Sequence, residues 1–521
     1  MPRAKNDSIP FDEFLENSQA GMTGLVDYLL PIITEHLQLK RVTKDYRSHL
    51  NRLLCNFFNA YRHKINLGIP MTNSHWSKTQ PRPIQNKEIS STVLRKIHQS
   101  LLDLRFTRRV TEKAHYKGYK RTRTYSPTAT LSKLFESFEI NEQEMEIDLV
   151  NYPVIRLRDF KPKKEKGQKQ KRGELLDIEP YRNKEVTQWE KEVKVINGRY
   201  WHTHIDLYVT DAEEATIKRR LANKINEEFR TLQFYRKYIS RNFNNRSWKD
   251  GGRFYGVWYQ SIPSEWRHRI TINNYVTQEI DYTAIHFYMI YSDLGVTPPD
   301  HLKGGKYDSS GMFDPYELSD HNPQWKGQEI LINRKVVKLA INIMLNATDE
   351  DKARGVIRGE PKIKTIPTGY KTWKGFMDHI LDCHRPIQEI FYTGAGIGYQ
   401  NKDSNIAAKV MNTMSNKYNM AVLPIHDSFL CSRHESEVLA QVMQEACNEA
   451  GYRIPMTIDA LPEVLDIRKV DQKRCSNYFR RLSNYHNTLP LIIENFVQPP
   501  SIIKRKDKAI WKKDGKSINL F

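Results

Sequence analysis

Residues 277–295 read TQEIDYTAIHFYMIYSDLG, and residues 421–432 read AVLPIHDSFLCS. Val276, just before the first stretch, and Ile280 within it alternate as in a buried strand, Asp281 falls at the strand's end, and an amphipathic helix should follow. In the second, an apolar strand runs into His426-Asp427-Ser428 and leaves through Phe429 and Leu430, so the polar triplet sits at a hairpin tip. An acid at a strand end can reach a metal ion. An aspartate that caps the next helix accounts for Asp281 equally well, and a buried, hydrogen-bonded His-Asp pair is an equal reading of the second stretch taken alone.

Between the two lies NRKVVKLAINIMLNA, residues 333–347. Four-residue steps put Arg334, Lys338, Asn342 and Asn346 along one helical face, while Val337, Ile341, Met344 and Leu345 cover much of the rest. That face offers two cations and two amides to one elongated ligand. A triphosphate fits, because arginine grips phosphate oxygens in a fork and lysine serves as a point charge or proton donor. Solvated surface cations are the plainer alternative, and polar residues every four positions on an otherwise apolar helix sit less comfortably with it.

In the order strand-Asp, Arg/Lys helix, His-Asp hairpin, the chain resembles the right-hand polymerases of the family A DNA polymerase and single-subunit phage RNA polymerase superfamily. The resemblance spans about residues 249–440. Asp281-Tyr-Thr-Ala-Ile-His286 is similar to motif A, Arg334-x-x-x-Lys338 to motif B and His426-Asp427-Ser428 to motif C; Gly251-Gly252-Arg253-Phe254-Tyr255 is similar to the G-R motif upstream. The resemblance implies an α+β right-hand fold: an antiparallel palm sheet with Asp281 and Asp427 on adjacent strands, helical fingers carrying Arg334 and Lys338, and a thumb. It implies Asp281, Tyr282 and Asp427 as ligands of two Mg²⁺ ions, replaceable by Mn²⁺, ~3.5–4 Å apart, one activating a primer 3′-hydroxyl and the other stabilising pyrophosphate. Lys338 would then act on the leaving group, Arg334, Lys338, His286, Asn342 and Asn346 would meet the nucleotide, and Arg253, Tyr255 and His426 would meet nucleic acid.

Departures from the family pattern bear on sugar choice. His286 stands where the DNA enzymes carry a glutamate that crowds a ribose 2′-hydroxyl, and Asn346-Ala347 stands where motif B usually ends in Tyr-Gly. Tyr282 favours the DNA enzymes, Ser428 the RNA enzymes. The short interval from Asp281 to Asp427 implies reduced fingers, with Phe313–Leu318 at a fingers helix start and Pro315 near its first position. Residues 401–414 read as a helix before motif C, with Asp403 or Ser404 near the substrate.

The rest of the chain is basic. Lysine and arginine number 82 against 61 acids, a net charge of +21 over 521 residues, so a polyanion is the expected partner. The five cysteines form no C-x-x-C pair or finger spacing, which supports neither a disulfide framework nor a zinc finger. With no apolar run of membrane-spanning length and no signal-like start, the expectation is a soluble, cytoplasmic, bacterial or nucleoid-associated protein that is not secreted and meets no membrane.

Residues 44–66 place Leu50, Leu53, Leu54, Phe57, Phe58 and Tyr61 on one helical face, and the segment after Ser90 repeats the pattern through Leu104. A basic hairpin about Lys117-Gly118 and a helix from Thr128 follow, an arrangement similar to a winged helix-turn-helix. Arg108, Arg109, Lys117, Arg121 and Arg123 would lie on DNA phosphates; a solvated hairpin without a ligand is the alternative. Residues 161–173 read as a basic linker, residues around Asn197-Gly198 as strands, and a long helix should start near Glu213 and belong to the thumb.

These readings divide the chain into a mainly helical, winged-helix-like module (1–150), a linker and thumb-like region (151–248), palm and fingers (249–470) and a basic extension (471–521). The expected activity is template-directed DNA synthesis without proofreading, for a phage, plasmid or integrated element. Its partners would be DNA template and primer, nucleoside triphosphates, and a replication helicase or accessory protein. A DNA-directed RNA polymerase or primase is the enzyme alternative. A non-catalytic replication initiator or regulator and a metal-dependent nuclease are the others.

Overall fold

Leu50, Leu53, Leu54, Phe57 and Phe58 form the buried face of the helix Lys44–Arg62 in the computed structural model of the chain. It describes residues 8–76, 82–111, 115–116, 119–120, 122–162, 172–222, 231–299, 314–316, 318, 334–363, 365–367, 369–458 and 473–495. That helix packs with Ala20–His36 and Ser91–Asp103, and the Ser90 hydroxyl caps the latter by accepting the Val93 N–H at 3.4 Å. A four-stranded sheet, ordered Ser8–Pro10, Asn66–Gly68, Thr124–Pro127, Thr107–Thr111, and the helix Ala129–Ser137 complete this module. The short strands His115–Tyr116 and Tyr119–Lys120 pair as the expected hairpin. Arg108, Arg109 and Arg123 are exposed beside it, whereas Lys117 and Arg121 lie outside the described residues.

His98 of this module packs its ring 4.3 Å from Tyr125 and 6.2 Å from Phe57, with no hydrogen-bond partner for either nitrogen among the described residues. Burial, helped by the Arg109 charge, pushes its pKa from 6.5 down to about 3. The unfolded chain therefore binds this proton first. Stability is complete above pH 6.5 and is lost as the pH falls towards 3. By pH 5 this one group costs about 2 kcal/mol. His98→Leu should flatten that part of the acid loss, read by urea denaturation at pH 7 and pH 5; equal acid sensitivity of the two proteins would count against it.

The middle of the chain departs from expectation. Residues 184–201 form one helix, Lys184–Trp201, where strands about Asn197-Gly198 were expected. Val186, Val193, Ile196 and Tyr200 recur at helical spacing, Asn183 caps the start by accepting from Val186 N–H at 2.9 Å, and Asn197 spends its amide on the backbone of Ile239. The helix expected from near Glu213 is seen over Asp211–Ala222; residues 223–230 lie outside the described residues, and residues 231–239 are not helical. No separate thumb emerges from the described residues of 151–248. The strands Leu175–Leu176, Ile155–Arg158, Ser240–Asn244 and Ser247–Tyr255 make one sheet, and the division at 248/249 falls inside its last strand.

The largest sheet is antiparallel throughout. Its order is Ile205–Leu207, Ile270–Ile272, Tyr275–Tyr282, Ser428–Ser432, Leu423–Ile425, with Met456–Ile458 also pairing to Tyr275–Tyr282. Helices Gly396–Asn416, Ser436–Glu449 and Lys184–Trp201 share its core. Between the two chemistry-bearing strands the chain inserts helices Ile285–Asp293, Arg334–Asn346, Glu350–Arg358 and Trp373–Cys383, whose core gathers Phe287, Ile341, Met344, Phe376 and Ile380. The extension after 470 begins as structure: helix Ser476–Asn495 anchors through Arg481, which forks onto Asp206 and also meets Glu214. The basic stretch 504–513 lies outside the described residues.

Candidate active site

Asp281 is the penultimate residue of the strand Tyr275–Tyr282, in register with Ser428 across the sheet. It does not cap the following helix, which starts at Ile285 behind Ala284, a residue held at φ 48°. Asp427 occupies the two-residue tip between Leu423–Ile425 and Ser428–Ser432. The tip forces His426 to φ 62°, a left-handed backbone uncommon for a side-chain-bearing residue and found often at functional turns. The main chains of the two motifs touch, with Tyr282 N–H donating to the Asp427 carbonyl at 3.4 Å. Asp281 and Asp427 thus stand at the same end of two paired strands.

His426 and Asp427 are no buried pair, since His426 is exposed. Local crowding around its ring, then the Arg253 charge, lowers the imidazole's pKa even though part of the side chain meets solvent. Tyr282 alternates away: its ring is 2% exposed and its hydroxyl donates to the Met443 carbonyl at 2.7 Å. A metal contact by the Tyr282 side chain is ruled out by that direction. Ser428 donates its hydroxyl to Glu279, two residues before Asp281 on the same strand.

Arg334 and Lys338 are not merely solvated. Both cations lie over the ring of Tyr316, at 4.9 and 5.4 Å, and Arg334 makes a fork of 2.7 and 3.1 Å to Asp314. Residues 314–316 form a turn in place of the expected helix start, tied by Tyr316 N–H to Asp314 Oδ1 at 3.0 Å; Phe313 and Glu317 lie outside the described residues. Burial raises the Tyr316 pKa, and the next cause is the charge of Asp427, with Asp281 adding to it. The ring that carries the two cations therefore feels both aspartates. Asn342 and Asn346 continue the exposed face, and Asn346 donates back to the Asn342 carbonyl at 2.8 Å.

The third cluster joins Arg253, His286 and Asp403. Arg253 pairs with Asp403, and His286 Nε2 lies 2.7 Å from the same carboxylate oxygen. Burial opposes the charge on Arg253, and the Asp403 and Asp427 carboxylates more than offset it. Tyr255, two residues on, is 37% exposed with its ring 6.1 Å from His426. Gly252 lets this strand approach the helix Gly396–Asn416: at φ 88°, a Cβ there would meet Ser404 Oγ at 2.7 Å. Buried Arg241 locks the approach, donating to the Gly252 carbonyl at 2.9 Å with its guanidinium 4.9 and 5.0 Å from the ring centres of the stacked Trp189 and Phe243.

Of the residues sequence reasoning missed, Tyr316, Asp314 and Glu279 had only their neighbourhood to a motif as a signal. Asp403 was placed on the right helix, but its partners were not foreseen. Among the described residues no group of three or more His, Cys, Asp or Glu side chains could hold a metal alone. Asp427 is half-exposed at the hairpin tip. A pair of carboxylates suits Mg²⁺, which keeps waters and takes substrate phosphates to complete its shell.

No protein-family model matches the chain, and no curated protein matches its sequence. Among solved structures it is similar to the POL domain of Pol1 from M. smegmatis in complex with DNA primer-template and dNTP, at 13% identity and a TM-score of 0.30. The match covers 47% of this chain and about half, 51%, of that one. All five cysteines are free and buried. Among the described residues no helix is long and apolar enough to cross a membrane.

Proposed function

We propose that this protein is a template-directed nucleotidyltransferase, a DNA-directed DNA polymerase without proofreading, with an N-terminal module that binds DNA. One arrangement carries the reading: Asp281 and Asp427 stand at the same end of two paired strands, and Arg334 and Lys338 lie over the Tyr316 ring, which is within the field of both aspartates. The large antiparallel sheet would act as palm and the helices between its two chemistry strands as fingers. When bound, Mg²⁺ would activate the attacking hydroxyl and stabilise charge on the departing phosphates. The aspartates hold negative charge where that metal is needed. Arg334 grips phosphate oxygens through its fork once they displace Asp314, and Lys338 supplies a charge or proton to the leaving group.

Primer extension on a defined template tests this, with dNTPs and NTPs offered separately. Extension with dNTPs supports the reading; extension with NTPs alone makes the protein an RNA polymerase or primase; substrate shortening without nucleotide makes it a nuclease. Arg334→Ala or Lys338→Ala should each raise the nucleotide KM about 10–100-fold, since a hydrogen bond to a charged group contributes about 1.5–3 kcal/mol. An unchanged KM in both variants would remove the triphosphate from this helix. In the N-terminal module Arg108, Arg109 and Arg123 contribute phosphate contacts, each steepening the log–log salt dependence of duplex binding by about 0.9.

A further inference from the structure

Asp403 is 3% exposed, and one of its oxygens serves two elements that the sequence separates widely. The Arg253 guanidinium reaches it from the strand Ser247–Tyr255, and His286 Nε2 reaches it at 2.7 Å from the helix Ile285–Asp293. The Arg253 strand continues to Tyr255 beside the hairpin tip, on the side assigned to primer and template. The His286 helix follows Asp281, on the side assigned to the nucleotide. A carboxylate acceptor at Nε2 places the ring proton there and fixes the orientation of the imidazole.

The carboxylate cannot follow either partner freely. Its helix is tied to the Gly251-Gly252 stretch of that strand by Ser404, which donates to the Gly251 carbonyl at 3.1 Å, and by Arg241, which reaches Ser404 and Asn405. In a low-dielectric setting, drawing Arg253 towards a nucleic-acid acceptor leaves more of the Asp403 charge on His286, and the reverse holds when His286 is engaged. We infer that Asp403 is a positioning residue that couples the grip on primer–template, through Arg253, to the nucleotide pocket, through His286. The inference rests on the polymerase reading above and deepens it.

The test measures the Kd for a labelled primer–template by anisotropy and the nucleotide KM by steady-state extension. The proteins are wild type, His286→Gln, Arg253→Lys and the double variant, each also with Asp403→Asn. His286→Gln should weaken primer–template binding about threefold or more, and Arg253→Lys should raise the nucleotide KM by a similar factor. With Asp403→Asn both cross effects should fall below about twofold. If each substitution moves only its own constant, the coupling is overturned, and Asp403 is left a structural role seen only in the unfolding midpoint. Should Asp403→Asn fail to fold, the cycle of His286→Gln with Arg253→Lys decides: non-additivity supports the coupling and additivity overturns it. A wild-type protein that neither binds nor extends primer–template overturns the polymerase reading itself, a result distinct from additive effects in an active enzyme.

Discussion

Asp427→Ala should abolish primer extension by a factor on the order of 10³ or more, comparable to losing a principal electrostatic stabiliser of a transition state. The protein should still fold. Asp427 sits half-exposed on a two-residue hairpin tip, and the sheet beneath it rests on Ile425, Phe429 and Leu430, which the substitution does not touch. Asp281→Asn should produce a loss of the same order, because Asp281 and Asp427 stand at the same end of two paired strands. The measurement is extension rate at saturating nucleotide, with duplex binding and unfolding midpoint as controls. A DNA-binding initiator without catalysis would show no extension in any variant and unchanged DNA binding. Full extension by Asp427→Ala would sink the assignment of Asp427.

Arg481→Met should cost about 3–5 kcal/mol of stability, the penalty for leaving buried charge without its partner. Arg481 is 4% exposed, donates twice to Asp206 at 2.9 Å and once to Glu214 at 2.8 Å, and lies 4.0 Å from the centre of the Phe234 ring. Burial alone would raise both carboxylates; the charge and hydrogen bonds of Arg481, together with His204 at Asp206 and Lys218 at Glu214, more than offset it and hold them below their ordinary values. The stabilisation they contribute is therefore present above the ordinary carboxylate range and lost as pH falls through the lowered values. Urea denaturation of the full chain at neutral pH reads the effect, and a loss below about 1 kcal/mol, as for a surface pair, would show the cluster to be solvated.

The parts legible in the sequence were those built from neighbours. The faces of Lys44–Arg62 and Ser91–Asp103, the Ser90 cap and the His426-Asp427 tip follow from spacings of two to four residues, where the chain's own periodicity decides which side chains are buried. The helix Lys184–Trp201 was misread because Asn197-Gly198 carries a strong local turn signal. Asn197 satisfies its amide on Ile239, 42 residues away, with bonds of 2.9 and 2.8 Å, so a tertiary partner outweighs the turn propensity. The pairing of Ile205–Leu207 with Ile270–Ile272 was illegible for a related reason, because no local pattern announces a strand's partner.

By itself, then, the sequence determined where these acids and cations stand in their local elements, because Asp281 at a strand end, the Arg334–Asn346 helical face and Asp427 at a hairpin tip each follow from residue type and short-range spacing. It also determined that the body around them is strongly basic. Only the tertiary structure decided what those residues meet: Tyr316 beneath both cations, Asp314 in the fork of Arg334, and one Asp403 oxygen shared by Arg253 and His286 across separations of 150 and 117 residues. Pairings over such distances are set by how sheets and helices bury their apolar faces together, and a polar contact exists only where that packing happens to bring two groups within reach.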